Sequence, residues 1–381
     1  MTGVAVVGVA ECDLGVTGRS VLGLQTQAVT RALADAGLTL RDVDGLATTG
    51  VSRFSATQLA DSFGLQPRWT DSTFAGGSAY EMMVARAVQA IDAGQADTVV
   101  ISFASNQRSA RSRSLGGVYE DHVPEAQFER PYAALYPLSY YAMAAQRYLY
   151  CFGGTREQLA EVAVAAREWA LLNPVAFRHG AGPLTVEQVL GATMVSSPLT
   201  AADCCLVTDG GGAVVLTSRE RAADLAKTPV DVLGYGERTT NSSMTAVDDL
   251  TTTGAVGSGR DALGRAGLVP ADIDVVQLYD SFTITVALSL EDLGFCGKGE
   301  ALDWIQGGRI RPGGELPLNT SGGGLSYCHP GQFGVLLLVE AVRQLRGEAG
   351  DRQVPGARTA LAHGTGGILS SHATVVLGVG G

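Results

Sequence analysis

The residues of this chain best suited to chemistry gather in one run, Asn319-Thr-Ser-Gly-Gly-Gly-Leu-Ser-Tyr327-Cys328-His329-Pro330-Gly-Gln-Phe-Gly334, which leads into the apolar helical run 335–346. Consecutive glycines permit backbone conformations and close approaches that side chains forbid. Pro330 suits the first turn of a helix, where its missing N–H leaves nothing unsatisfied. The spacing therefore predicts His329 near the positive end of a helix dipole, beside backbone N–H groups that have no partner inside the helix. Such a place stabilises a developing oxyanion or enolate. Other chemistries find less support. The five histidines show no HxxxH or HxH spacing, so no metal site is expected. The cluster Asp209-Gly-Gly-Gly212 reads as a hairpin turn and not as a phosphate loop, because no Gly-Lys-Ser/Thr follows. Cys328 is expected to be a small buried thiol, and Cys204, Cys205 and His372 to be strand packing.

The elements that must hold this run come from an internal repeat. Ala32-Leu-Ala-Asp-Ala-Gly37-Leu38…Asp42-Val43-Asp44 recurs as Ala262-Leu-Gly-Arg-Ala-Gly267-Leu268…Asp272-Ile273-Asp274, at a constant offset of 230 positions. Each copy is a helix ended by glycine, a short linker and a hydrophobic strand, 45–49 in one and 275–279 in the other. Downstream, Gly76-Gly-Ser78 opens a helix over 81–93 that leads into a strand at 98–102. Its counterpart is the His329-Pro330 turn, the helix 335–346 and the strand 359–363. Helical periodicity alternating with short apolar strands predicts an α/β fold whose sheets are covered on both faces. The two similar halves are placed at 1–225 and 226–381. Residues from about 104 to 200 do not fit the repeat; they carry Tyr132, Tyr136, Tyr140, Tyr141, Tyr148 and Tyr150 and read as an inserted cap over the site.

Composition narrows the function classes. A chain of 381 residues, 46% hydrophobic, can bury one large core or two fused ones. No run of about 18 apolar residues occurs, so no membrane span is expected. The opening Met-Thr-Gly-Val-Ala-Val-Val-Gly reads as a first strand, not a signal peptide. A net charge of −11 argues against a nucleic-acid partner. The six cysteines form no CxxC pair and read as reduced thiols of a cytoplasmic protein.

Five features together resemble the thiolase superfamily over essentially the whole chain: Gly76-Gly-Ser78 at a helix start, the Asp209-to-Val215 glycine segment, Tyr279-Asp280-Ser281-Phe282, the 319–334 run and Ala362-His363-Gly-Thr-Gly-Gly367. The nearest branch is the lipid-transfer or sterol-carrier type. The resemblance implies a five-layer αβαβα fold with two similar halves and an inserted cap. It also implies an oxyanion site built from Gly76, Gly77, Ser78, His329, His363 and Gly366. A thiolase uses a cysteine at the N-terminus of the first-half helix, where the dipole lowers the thiol pKa. Here residues 73–79 contain no cysteine, and the C-terminal Cys-x-Gly loop is replaced by His363-Gly364-Thr365-Gly366. Tyr279 stands where the branch usually has histidine, and Tyr327 stands two residues before His329.

This pattern resembles the acyl-CoA retro-aldolases of steroid side-chain breakdown. A β-hydroxyacyl thioester splits when a base removes the hydroxyl proton, the Cα–Cβ bond breaks into an enolate, and an acid protonates Cα. The resemblance implies Tyr279 and Tyr327 as the acid/base pair, with His329 in the oxyanion hole. A phenol of ordinary pKa ~10 needs nearby donors to serve as a base. Asp280 is expected to cap a helix starting at Ser281. No cofactor is expected beyond the CoA thioester substrate. The tyrosine-rich insert suits a bulky acyl group such as a steroid. The resemblance further implies a homodimer and a small OB-fold partner protein in a heterotetramer. Two alternatives stand beside this reading: an acyltransferase using Cys328, and a non-catalytic acyl-CoA or lipid carrier.

Overall fold

Both copies of the repeat open with a strand in which a glycine lets a helix lie against the sheet. A Cβ on Gly8 would sit 2.1 Å from the carbonyl oxygen of Ala32, and one on Gly234 would sit 2.1 Å from that of Ala262. The computed structural model describes residues 2–50, 54–112 and 122–380. The first copy runs β1 (Val4–Glu11), α1 (Val21–Ala36), β2 (Gly45–Thr48), α2 (Ser55–Phe63), β3 (Trp69–Asp71), α3 (Ala79–Asp92) and β4 (Thr98–Ser105). Next come α4 (Gln107–Ala110), α5 (Leu138–Phe152), α6 (Arg156–Leu171), α7 (Val186–Leu190) and the hairpin β5 (Met194–Ser196) and β6 (Leu199–Thr200). Strand β7 (Gly210–Ser218) and helix α8 (Arg219–Ala222) follow. The second copy runs β8 (Val230–Thr239), α9 (Ala255–Ala266), β9 (Val275–Leu278), α10 (Thr283–Asp292), α11 (Ala301–Trp304), α12 (Gly334–Arg346), β10 (Thr359–Gly366) and β11 (Ser371–Gly378).

Among the described residues the strands are ordered β3-β2-β4-β7-β1-β8-β11-β10-β9. The order inverts about the β1–β8 contact, where only Ala5 with Asp231 and Val6 with Val230 pair. Leu318 bridges Val276 in parallel, at the place where β3 pairs with β2 in the first copy. Helices α3 and α12 lie between the two sheets, and their residues share one core with strands of both copies. These helices are buried almost all round, so they lack the polar face of a surface helix. Helix α1 packs on the outside of the first sheet and α9 on the outside of the second. The result is five layers, αβαβα, with two similar halves. Helices α1 and α9 both end at a glycine in the left-handed region, Gly37 at φ 72° and Gly267 at φ 69°.

The inserted helices α5 and α6 join the outer core of the second copy. Their tyrosines divide: Tyr140, Tyr141 and Tyr148 are buried, whereas Tyr132 and Tyr150 are exposed. Residues 113–121 of the insert lie outside the described residues. The glycines at 210–212 correct the sequence reading. They form no hairpin turn but run inside β7, paired with Ser105, Ala104 and Phe103 of β4. A Cβ on Gly211 would lie 2.0 Å from the Phe103 carbonyl oxygen, so close strand packing explains the glycine.

Candidate active site

The 319–334 run is tied down at the C-terminal end of β9. The Asn319 side-chain oxygen accepts the Leu278 N–H at 2.7 Å. The Asp280 carboxylate accepts the N–H groups of Gly324 at 2.6 Å and Leu325 at 3.2 Å. Asp280 therefore caps the wide turn Gly323–Tyr327 and not α10, which starts only at Thr283. A Cβ on Gly323 would lie 2.1 Å from the Asp280 carboxylate, so glycine is required above it. The chain then extends through Cys328 to His329. There the His329 N–H donates to the Thr208 hydroxyl at 3.0 Å, and the Thr208 N–H donates back to the His329 carbonyl at 3.1 Å. The expected placement of Pro330 is corrected here. Helix α12 begins at Gly334, because Gly331 turns the chain in the left-handed region at φ 94°.

The ring of Tyr279, just beyond β9, reaches this turn. Its hydroxyl lies 2.9 Å from Nε2 of His329, and the two rings meet edge to face. Both residues are buried. Burial pushes the His329 imidazole down to about 4, so the ring is neutral at neutral pH. A hydrogen bond to its own backbone opposes that shift. Burial raises the Tyr279 phenol well above its ordinary value, while the N–H of Phe333 favours the phenolate. Phe333 is a shared wall whose ring lies 6.0 Å from Tyr279, 6.2 Å from His329 and 6.4 Å from Tyr327. The structure thus brings Tyr279 and His329 into direct contact and places Tyr327 one ring away. Burial raises the Tyr327 phenol too, followed by the charge of Glu11. The Tyr327 side chain is itself buried.

Glycines let the two halves meet backbone to backbone beside Tyr279. A Cβ on Gly77 would fall 2.0 Å from Cε2 of Tyr279 and 2.5 Å from the Thr365 carbonyl oxygen. The phenol ring therefore fills the space that any side chain on Gly77 would need. A Cβ on Gly76 would lie 2.9 Å from Cα of Gly366, and one on Gly366 would lie 1.7 Å from the Ala75 carbonyl oxygen. The Ser78 hydroxyl is occupied, 3.0 Å from the Ala75 carbonyl and 2.7 Å from the Ser371 hydroxyl. Gly76, Gly77, Ser78 and Gly366 thus assemble around Tyr279. His363 does not share that face. Side chains alternate along β10, and Gly364 and Gly366 face α3. The His363 ring points the other way, with Nδ1 2.8 Å from the Thr374 hydroxyl and Nε2 3.4 Å from His372.

Three residues escaped the sequence reading of the site. The Tyr141 hydroxyl, from α5, donates to the Gly367 carbonyl at 3.1 Å, and its ring stacks on Phe282 at 4.4 Å. The N–H of Cys205 donates to the Ser281 carbonyl at 2.9 Å, in a loop and not in a strand. Glu81 lies buried with neither carboxyl oxygen hydrogen-bonded, and burial raises it to about 8. Cβ atoms on Gly334 and Gly364 would approach its Oε2 to 2.6 and 2.3 Å, so it sits where the N-terminal ends of α3 and α12 meet. None of the thiols close to the site is primed for attack. Cys328 is fully buried, 3.2 Å from the Thr208 hydroxyl, and burial pushes it up to about 12; burial raises Cys205 as well.

This fold and glycine-lined junction, with a phenol–imidazole pair and no thiolate, define a thiolase-type enzyme. The Thiolase C-terminal domain-like family matches residues 236–379. The 17-hydroxy-3-oxo-4-pregnene-20-carboxyl-CoA lyase of Mycobacterium tuberculosis is 36% identical over 360 residues, 90% of this chain and 91% of that protein. The steroid side-chain-cleaving aldolase of Thermomonospora curvata is 34% identical over 365 residues, 92% of each. The solved Ltp2-ChsH2(DUF35) aldolase superposes with a TM-score of 0.90 at 34% identity, covering 99% of this chain and 98% of that one. The chain belongs to the thiolase superfamily. Within it, the chain is a carbon–carbon lyase of the aldolase branch. No helix among the described residues is long and apolar enough to cross a membrane.

Proposed function

We propose that this enzyme cleaves the Cα–Cβ bond of a β-hydroxyacyl-CoA with a bulky, steroid-like acyl group. The products are a ketone or aldehyde and a shorter acyl-CoA. The observation that carries the assignment of roles is the contact of 2.9 Å between the Tyr279 hydroxyl and a neutral His329. The Tyr279–His329 pair takes the proton from the β-hydroxyl as the Cα–Cβ bond breaks. The bond's electrons move into a thioester enolate, and the proton is returned at Cα, so atoms and charge balance. Tyr327, whose ring lies 6.4 Å from that of Phe333, supplies the second phenol. Backbone N–H groups near Gly76 and Gly77 and at the start of α12 stabilise the enolate oxygen. This departs from the expected role of His329 as an oxyanion donor, since its Nε2 faces Tyr279.

Tyr141 and Phe282 form an apolar wall beside Gly367 that suits a ring-bearing acyl group. The names of the relatives support a steroid substrate. The two-part name of the Ltp2-ChsH2(DUF35) aldolase supports a second subunit, and we propose a small OB-fold partner and a homodimer of this chain. The test is a panel of β-hydroxyacyl-CoAs of graded acyl size, with release of the carbonyl product followed. Cleavage is expected to favour ring-bearing acyl groups. A preference for short linear chains would overturn the substrate assignment.

A further inference from the structure

The backbone beside the Tyr279 hydroxyl belongs to a short loop, Pro330 to Phe333, between the His329 turn and α12. The Gly331 carbonyl oxygen lies 3.5 Å from that hydroxyl, and the Phe333 ring meets the Tyr279 ring edge to face. The loop belongs to neither helix nor strand, so its place depends on what packs against it. At its far end it rests on the first half of the chain. A Cβ on Gly334 would lie 2.2 Å from the Gly77 carbonyl oxygen, and Gly77 is the residue against which the Tyr279 ring packs. A small displacement of the loop is therefore felt at the phenol.

The first half also reaches into this loop through α3. The Tyr80 hydroxyl donates to Oε1 of Gln332 at 2.5 Å, and both side chains are buried. The Tyr80 ring is fixed in turn, lying 5.5 Å from the Phe103 ring of β4. Burial raises the Tyr80 phenol well above its ordinary value, so it stays protonated and remains a donor. A longer contact joins the Gln107 side-chain amide to the Pro330 carbonyl at 3.4 Å. Breaking a buried hydrogen bond strands its partner away from water, so the Tyr80–Gln332 contact resists opening. Helix α3 is buried almost all round and gives this contact a rigid base.

We propose that Tyr80 is a positioning residue for the reaction: through Gln332 it fixes the Pro330–Phe333 loop, and so the place of the Tyr279 hydroxyl against Nε2 of His329. The inference rests on the acid/base role given to Tyr279 above. Tyr80 itself is fully buried and acts only through the loop. Proton transfer requires donor and acceptor within hydrogen-bond reach, so a loosened loop costs rate even though both reacting groups remain.

The test is a double-mutant cycle on Tyr80→Phe and Gln332→Leu, read by kcat, KM and thermal unfolding. Tyr80→Phe keeps the ring beside Phe103 and removes only the hydroxyl. Each single variant is expected to lower kcat about tenfold or more, with KM held within about twofold. The double variant separates positioning from the burial of a stranded polar group. It strands no partner, so its melting temperature should recover toward wild type, while its kcat should stay as low as in the single variants. Recovery of kcat together with the melting temperature overturns the inference, as do single variants with wild-type kcat. Magnetic resonance of tyrosine labelled at Cζ keeps this inference apart from the functional reading. The Tyr279 signal, assigned by its loss in Tyr279→Phe, should move in both single variants and in the double variant. A signal that moves while Tyr279→Phe keeps full activity sinks the role given to Tyr279 and keeps its placement by Tyr80. A signal that stays while Tyr279→Phe is inactive sinks the placement alone.

Discussion

Replacing Tyr279 by phenylalanine separates chemistry from packing. The variant keeps the ring that fills the space beside Gly77 and removes only the hydroxyl 2.9 Å from His329 Nε2. As a structural change this deletes one hydrogen bond between neutral groups and leaves a buried imidazole nitrogen unpaired, a loss of about 1–3 kcal/mol. As a chemical change it removes a group that transfers a proton in the transition state, worth about 10²–10⁴ in rate. At 1.36 kcal/mol per tenfold, that is roughly 2.7–5.4 kcal/mol of barrier. Tyr279→Phe should therefore fold, melt a few degrees lower at most, and lose at least about 100-fold in kcat. The loss in kcat/KM should match, because the missing interaction operates in the transition state. The assay is steady-state release of the carbonyl product, alongside thermal unfolding of the same preparation. A variant that keeps more than a tenth of the wild-type kcat would refute the role given to this phenol.

Cys328→Ala should retain activity within about threefold, and iodoacetamide should leave the wild-type enzyme active, because burial holds that thiol protonated; rapid inactivation at Cys328 would count against this. Gly77→Ala should cost at least as much activity as Tyr279→Phe, since its Cβ would displace the phenol ring; near-normal turnover would show that the ring position is not critical. Glu81 is raised from 4.5 to about 8, so between these values the native state holds more of its proton than the unfolded chain does, and stability falls as pH rises through that window. Glu81→Gln should remove that slope, gaining on the order of a few kcal/mol relative to wild type at pH 8 and nothing near pH 4.5. The same difference in melting temperature at both pH values would exclude the titration of Glu81 as its cause.

Much of the architecture was legible because local signals and tertiary packing agree. The glycines closing α1 and α9 end helices whose apolar spacing already marks a buried face, and Gly8 and Gly234 admit those helices to the sheets. The reading failed where a local signal has two physical causes. Glycine serves turns and close approaches alike, so Gly210 to Gly212 passed for a hairpin although backbone contact in β7 requires them. Helical periodicity from 335 onward does not show that Gly331 breaks the chain after Pro330. On β10 a shift of one residue decides which face a side chain joins, and this separates His363 from the glycines beside it. Tyr141 cannot be told from Tyr140 or Tyr148 in sequence, because only the docking of α5 on the second half brings it to Gly367. Glu81 carries no signal either: a carboxylate in a helix reads as solvent-facing until the second half covers it.

Cleavage without a thiol acceptor is the central claim, and product analysis tests it most directly. A β-hydroxyacyl-CoA is incubated with the enzyme, with and without the proposed small subunit, in the absence of free CoA, and both products are quantified. One carbonyl compound and one shortened acyl-CoA should form for each substrate consumed, at a rate that free CoA does not raise. Turnover that requires a β-keto substrate and free CoA would contradict the account and point to thiolysis.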